Sequence, residues 1–146
     1  MVHALEQIHD LLKPNGYLID IHPSGELVEF ILPLDGDEQL IGYMQETDDY
    51  IEYHQANDAL DATVTSGLFQ MVESGEIEFL THANSFDDLK TFLDENWSDA
   101  IITDDVVANA KEFEKKYGES KVTLREKVRI GLLKVLRGIK GWRNQP

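Results

Sequence analysis

The sequence contains no cysteine among its 146 residues. This absence excludes disulfide bonds, zinc sites built on thiolates and cysteine nucleophiles, and it is typical of proteins from a reducing compartment. The chain also lacks any apolar run near the roughly 20 residues that a membrane-spanning helix needs, and its first residues form no basic or apolar leader. These absences predict a cytoplasmic protein that does not associate with a membrane.

Basic residues are scarce and unevenly placed. The chain has 13 Lys and Arg against 28 Asp and Glu, a formal net charge of −15. Eleven of the basic residues follow Ala110, so that residues 111–146 carry a net charge of +7 and residues 1–110 carry −22. An acidic body repels phosphate backbones, and we therefore do not expect a nucleic acid to bind it. Two interpretations of the basic end stay open: it neutralises the acidic body or a partner subunit, or it binds an anionic partner or RNA.

The beginning of the chain predicts a helix, a tight turn and a strand. Apolar residues at helical spacing predict a helix over residues 4–12, which the Lys-Pro-Asn-Gly sequence at 13–16 ends. The apolar run at 17–22 predicts a strand with both faces covered. Residues 26–32 and 38–45 are typical of two strands, and Asp35-Gly36 between them predicts an antiparallel hairpin.

The remainder of the chain predicts three helices and two further strands. The residues after Gly118 alternate, which favours a long strand beginning at 121, although Leu132, Leu133 and Leu136 leave a helical continuation open. The other predictions are a helix over 50–66, a turn over 71–76 that leads into a strand over 77–82, a helix over 86–96 capped by Asn84-Ser85, and a helix that begins after Thr103 and ends at Gly118.

These elements together predict one α/β (mixed α+β) domain over residues 1–137. We expect a small mixed sheet with an antiparallel hairpin and helices packed on it. Residues 138–146 have too little apolar content to fold alone, and they are predicted to form a flexible tail.

Residues 4–21, ALEQIHDLLKPNGYLIDI, resemble a segment of class I S-adenosylmethionine-dependent methyltransferases. In that family a helix after the cofactor site ends in a Leu-Lys-Pro-Gly-Gly-type turn and enters the fifth strand of a Rossmann-like sheet. Asn15-Gly16 stands here where two glycines are usual, and asparagine tolerates the left-handed backbone of such a turn. Residues 85–93 and 122–136 are similar to the last helix and last strand of these domains, with less distinctive motifs.

The resemblance implies the second half of such a domain without its cofactor-binding half. The family's Gly-rich loop and its ribose-binding acidic residue belong to earlier strands, and this chain contains no Gly-x-Gly sequence. We therefore expect no cofactor on the isolated chain and a non-catalytic binding or assembly module. A sheet without the first-half strands would expose an edge and an apolar face, which predicts a homodimer.

Two alternative functions stay open. The chain could be one half of a split methyltransferase, in which a partner chain supplies the missing half and S-adenosylmethionine binds to the assembled enzyme. It could instead be an interaction protein that uses its basic C-terminal third.

Candidate site residues follow from the strand ends and the charge pattern. Asp20, His22 and Glu26 lie at the end of the first strand, where open α/β sheets bind ligands, and they are predicted to edge a ligand pocket. His22 is a candidate general base there, with a purely structural histidine as the alternative. The five histidines show no metal-ligand spacing, so no metal site is predicted, and no catalytic residue is assigned.

A set of basic residues in the last predicted strand gives the candidate anion-binding site. All of them have odd numbers and would share one face of a strand. The alternative is a face that the chain's own carboxylates neutralise. The residues are Lys121, Arg125, Lys127 and Arg129.

Overall fold

A computed structural model describes residues 2–137 of the chain. The predicted tail at 138–146 lies outside the described residues. In chain order the elements are α1 (Val2–Leu11), β1 (Tyr17–Pro23), β2 (Val28–Leu34), β3 (Asp37–Glu46), α2 (Ile51–Thr65), β4 (Phe69–Ala83), α3 (Phe86–Asn96), β5 (Ala100–Ile101), α4 (Asp104–Tyr117) and β6 (Val122–Val135).

The six strands form an antiparallel sheet in the order β1-β6-β2-β3-β5, with β4 also paired to β6. The predicted mixed α+β class is therefore confirmed. The Rossmann-like resemblance stays a prediction.

The described residues divide into two compact units. Unit 1 consists of residues 2–24, Glu52–Ile77 and 129–137, and unit 2 consists of Gly25–Ile51 and Glu78–Val128. Strands β4 and β6 are continuous and contribute residues to both units. The single domain over residues 1–137 stays a prediction.

The helix, turn and strand at the start of the chain are confirmed. Helix α1 ends at Leu11, and Asn15 adopts the left-handed backbone that its place in the turn requires, with φ of 60°. The N–H of Gly16 donates to the carbonyl of Lys13 at 2.8 Å and closes the turn. A Cβ on Gly16 would lie 2.8 Å from that same carbonyl oxygen, which explains the glycine.

The predicted hairpin is also confirmed. Strands β2 and β3 pair with Leu34 opposite Asp37, and Asp35 and Gly36 both have positive φ, as a type I′ turn requires. The register shifts between Phe30 and Ile31, where β3 holds one extra residue.

The helices predicted at 86–96 and after Thr103 are confirmed, and the side chain of Thr103 makes no capping hydrogen bond. Ser85 Oγ accepts the N–H of Asp88 at 3.1 Å, which begins α3 as a serine N-cap should. Helix α4 begins after Thr103 and ends at Gly118, whose φ of 86° is one that glycine adopts without strain.

Two predictions about the strands are wrong. The turn expected over 71–76 is absent, because Ser74 and Gly75 continue β4 in its pairing with β6. The favoured long strand after 121 is confirmed as β6, and the helical continuation left open for Leu132 and Leu133 is excluded, since both belong to this strand. The prediction that both faces of β1 are covered is wrong as well, because α1 and α2 pack on one face only, where Leu5, Leu60 and Leu133 share a core.

Candidate functional site

Unit 1 contains a small sheet in which β6 lies between β1 and β4. The N–H of Val135 donates to the carbonyl of Gly16, and the next N–H, of Leu136, donates to the carbonyl of Leu68, both at 2.9 Å. Successive N–H groups of a strand point to opposite edges, so these bonds join β6 to a different neighbour on each side. Strand β1 has no second neighbour within residues 2–137.

One face of this sheet carries apolar side chains that no described residue covers. Leu133, Val135 and Phe69 are buried under the helices, and side chains next to them along β6 and β4 must point the other way. On β1 the same face shows Tyr17, Ile19 and Ile21, and we call it the outer face of unit 1. Its members are Tyr17, Ile19 and Ile21 on β1, Gln70, Val72 and Ser74 on β4, and Ile130, Leu132 and Lys134 on β6.

The exposure of the β1 stripe is large for apolar side chains in a sheet. Tyr17 is 54% exposed, Ile19 64% and Ile21 62%, and Val72 on β4 is 51% exposed. Soluble monomers rarely present a contiguous apolar patch of this kind unless it binds something. The outer face is therefore a candidate interaction surface.

The hydrogen bonds fix which residues of the outer face are neighbours. Val135 is bonded to Gly16, and the two strands are antiparallel. Counting three residues back along β6 and three forward along β1 therefore places Leu132 beside Ile19. In the same way, counting four residues back from Leu136 and four forward from Leu68 places Leu132 beside Val72. Ile19, Leu132 and Val72 thus form a middle row across the three strands.

Two further rows flank the middle row, each two residues away along the strands. One row consists of Tyr17, Lys134 and Gln70, and the other consists of Ile21, Ile130 and Ser74. Next to the second row is a shallow cleft of about 260 Å³. Its lining residues are Glu73, Ser74, Gly75, Glu76, Ile77, Ile130 and Leu132.

Asp20 and His22 are brought together, on the side of β1 that faces the helices. His22 Nδ1 lies 2.5 Å from a carboxylate oxygen of Asp20, and His22 Nε2 lies 2.9 Å from the amide oxygen of Asn57 on α2. Asn57 also accepts from Arg129 and donates to the carbonyl of Ser24, which fixes the orientation of its amide. Sequence reasoning missed Asn57, which no motif marks.

This arrangement resembles the carboxylate and imidazole of a hydrolase triad only in part. In a triad the second ring nitrogen faces a nucleophile whose proton it removes. Here Nε2 of His22 faces an amide oxygen, which has no proton to give. Asp20 and His22 therefore join β1 to α2, and their predicted role at a ligand pocket stays a prediction.

Glu26 belongs to unit 2, where it accepts a hydrogen bond from Lys127 at 2.7 Å. Arg125 donates to Glu29 and to Glu38, each at 2.8 Å, and lies 4.0 Å from Glu78. The bond with Glu29 is the main reason that the pKa of Arg125 is raised above its usual value. Carboxylates of the chain thus surround two of the four candidate anion-binding residues.

The other two candidates lie in different surroundings. Lys121 precedes β6 and is exposed, while Arg129 donates to Asn57. The single face predicted for the odd-numbered residues does not persist along β6, because the buried positions change from even numbers up to Val128 to odd numbers from Gly131. Anion binding by these residues stays a prediction.

Arg137, the last described basic residue, binds the end of α1. Its Nη2 donates to the carbonyls of His9, Asp10 and Leu12 at 2.8, 3.3 and 2.8 Å. The last carbonyls of a helix lack partners within the helix, and a cation there also complements the helix dipole. This part of the basic C-terminal third therefore has a structural role.

A buried polar cluster in unit 2 was not found from the sequence. Tyr50 donates its hydroxyl to the carbonyl of Met44 at 2.6 Å, and Trp97 donates its indole N–H to the buried carboxylate of Glu46 at 3.0 Å. Burial raises the pKa of Tyr50 from 10.0 to about 12, and the nearby carboxylate of Glu46 adds to the shift. Burial also raises the pKa of Glu126 above its usual 4.5.

Two features are absent from the described part of the chain. Within residues 2–137, no three His, Asp or Glu side chains are grouped in a way that would hold a metal ion. No helix of that same part of the chain is both long enough and apolar enough to cross a membrane.

Comparison of the chain with models of known protein families and with curated protein sequences finds no match.

Proposed function

We propose that the protein is a non-catalytic assembly module that forms a homodimer through the outer face of unit 1. The observation that carries this proposal is the exposure of Tyr17, Ile19 and Ile21 on a sheet whose other face is covered by two helices. Burial of apolar surface stabilises association by about 25 cal/mol for each Å² removed from water. A second copy offers the same apolar face and is present wherever the chain is.

The geometry of the polar groups supports a non-catalytic role. The imidazole of His22 is held between Asp20 and Asn57, so that neither ring nitrogen is directed at a space for a substrate. The ion pairs of Arg125 and Lys127 occupy the basic groups that would otherwise hold an anionic substrate.

Replacement of Ile19 by lysine tests the proposed interface. We expect the wild-type chain to sediment as a dimer at micromolar concentration, and Ile19→Lys to raise the dissociation constant at least about tenfold, because a charge would be buried against apolar side chains. Analytical ultracentrifugation measures both. Since Ile19 is mostly exposed, the monomer should keep its fold, which circular dichroism verifies.

Leu40→Lys is the matched control. Leu40 is an exposed apolar residue on β3, in unit 2, and its replacement should leave the dissociation constant unchanged within about twofold. A wild-type chain that remains monomeric at 100 times that concentration range, or equal effects of the two variants, would contradict the proposal.

A split methyltransferase is the second candidate, and the unpaired outer edge of β1 favours it. Under the resemblance β1 corresponds to the fifth strand of the family's sheet, and a partner chain could pair with this edge. Titration calorimetry of the isolated chain with S-adenosylmethionine and S-adenosylhomocysteine should give no binding, because the chain has no Gly-x-Gly loop. Micromolar binding would overturn the non-catalytic proposal.

A further inference from the structure

We infer that the two copies stack face to face about a twofold axis that crosses β6 at Leu132, perpendicular to the strands, with Lys134 of each copy reaching the acidic cleft of the other. This inference rests on the proposed dimer and adds its register and its charged contact. Stacked sheets lie about 10 Å apart, a gap that apolar side chains from the two faces fill.

The middle row explains the position of the axis. Ile19, Leu132 and Val72 cross all three strands and are all apolar, so a twofold axis along this row packs each of them against its own copy. Such an isologous contact is the commonest way in which soluble proteins form dimers. An axis through either flanking row would leave part of the middle row outside the contact.

The charge of Lys134 decides the direction of the axis. An axis parallel to β6 would place Lys134 over Lys134 of the other copy, and like charges facing each other in an interface are unfavourable. An axis perpendicular to the strands instead places residue 134 over residue 130 of the other copy, because both lie two residues from Leu132. Only the perpendicular axis separates the two lysines.

The contacts made by the perpendicular axis are complementary. Lys134 of one copy lies over Ile130 of the other copy. Glu76 lines the same cleft and follows Ser74 by two residues on β4, so it shares the outer face. The aliphatic part of the lysine covers the apolar floor of the cleft, and its ammonium group reaches the carboxylate of Glu76 at the rim. On β4 the amide of Gln70 of one copy faces the hydroxyl of Ser74 of the other copy. The two groups can share a hydrogen bond.

Charge reversal tests the contact. We expect Lys134→Glu to raise the dimer dissociation constant about tenfold, because it places a carboxylate against the carboxylate of Glu76. Glu76→Lys should weaken the dimer similarly. Combining the two substitutions should restore the dissociation constant to within about threefold of wild type. Lys90→Glu on α3 is the control with the same change of net charge, and it should have no effect.

Cross-linking tests the register independently. Because the natural sequence has no cysteine, only the introduced cysteines can react. A mixture of the Gln70→Cys and Ser74→Cys chains should be joined by a short bismaleimide, whereas each variant alone should not. Both positions are exposed and polar, so the fold should tolerate the changes. Cross-linking of either variant with itself, or none in the mixture, would overturn the stated axis.

The outcomes separate this inference from the proposed function. If Ile19→Lys dissociates the dimer while Lys134→Glu has no more effect than Lys90→Glu, the outer face is the interface and the inferred register is wrong. If the wild-type chain does not dimerise, both are wrong. Rescue by the double variant Lys134→Glu, Glu76→Lys, together with cross-linking only in the mixture, supports both.

Discussion

Replacement of Gly42 by alanine is expected to destabilise the protein by about 3 kcal/mol. Gly42 has φ of 152°, a backbone conformation that residues with a side chain rarely adopt. A Cβ built there would lie 2.4 Å from Cγ2 of Val106, which is fully buried on α4. Backbone strain and steric overlap therefore act together, and neither the strand nor the helix can move without opening the core.

Gly42 lies opposite Phe30, beside the extra residue of β3. The carbonyl of Ile41 leaves the ladder there and accepts a hydrogen bond from Asn109 of α4 at 2.8 Å. The bulge thus brings α4 close to the strand, and the close approach requires a glycine.

A double-mutant cycle separates the two causes. Val106→Ala alone should cost about 2 kcal/mol through the cavity that it leaves, whereas in the double variant the two substitutions should offset each other by about 1–2 kcal/mol. Urea unfolding followed by circular dichroism gives the four values. Gly75→Ala is the control, since a Cβ at Gly75 would meet no atom within 4 Å. A cost below about 0.5 kcal/mol for Gly42→Ala would show that α4 shifts freely.

The parts of the fold that the sequence predicted are those set by local chemistry. The hairpin follows from Asp35-Gly36, whose residues adopt positive φ more readily than others. Helix α3 follows from the hydroxyl of Ser85, and α4 from the glycine at its end. Each of these signals acts within a few residues of chain, so no knowledge of the tertiary structure was needed.

Errors occurred where burial depends on distant parts of the chain. The run at 17–22 is apolar enough for a strand covered on both faces, but nothing within residues 2–137 covers its second face. Ser74-Gly75 has the composition of a turn, yet pairing with β6 holds it extended. The outer face therefore could not be predicted residue by residue, although the resemblance led us to expect an exposed apolar face.

The polar sites show the same limit. Asp20 and His22 are two residues apart on a strand, and alternation predicts that they share a face. Their contact with Asn57, 35 residues later, depends on how α2 packs. The burial of Glu126 could have been predicted from alternation, because it lies between the buried Leu124 and Val128 on β6. Its raised pKa follows from that position.

Compared with wild type, Tyr50→Phe is expected to be less stable at neutral pH and more stable at strongly alkaline pH. At pH 7 the variant should be about 1–2 kcal/mol less stable than wild type, because the buried carbonyl of Met44 loses its hydroxyl donor. Tyr50 is only 3% exposed, and its pKa rises from 10.0 unfolded to about 12 folded. A raised folded-state pKa gives stability that is present below pH 10 and lost as the pH passes 12.

The stability lost at alkaline pH follows from the shift in the pKa of Tyr50. Two pKa units correspond to about 2.7 kcal/mol, which the wild-type chain loses between pH 10 and pH 12 and the variant does not lose. The two stability curves should therefore cross near pH 11 to 12. Urea unfolding at pH 7, 9, 10, 11 and 12 measures the crossing, with Tyr43→Phe, an exposed tyrosine of unit 2, as the control that keeps the wild-type profile.

Absorbance near 295 nm gives an independent reading, because one of the five tyrosines should ionise late in wild type and that step should vanish in Tyr50→Phe. Parallel stability curves would mean that the phenolate of Tyr50 reaches water in the folded state. The sequence at 47–50 would then open without unfolding, even though Asp49 and Tyr50 both hold a left-handed backbone. A crossing would show instead that the hydroxyl of Tyr50 stays shielded from water in the folded state, so that the turn before α2 remains closed around the buried side chain.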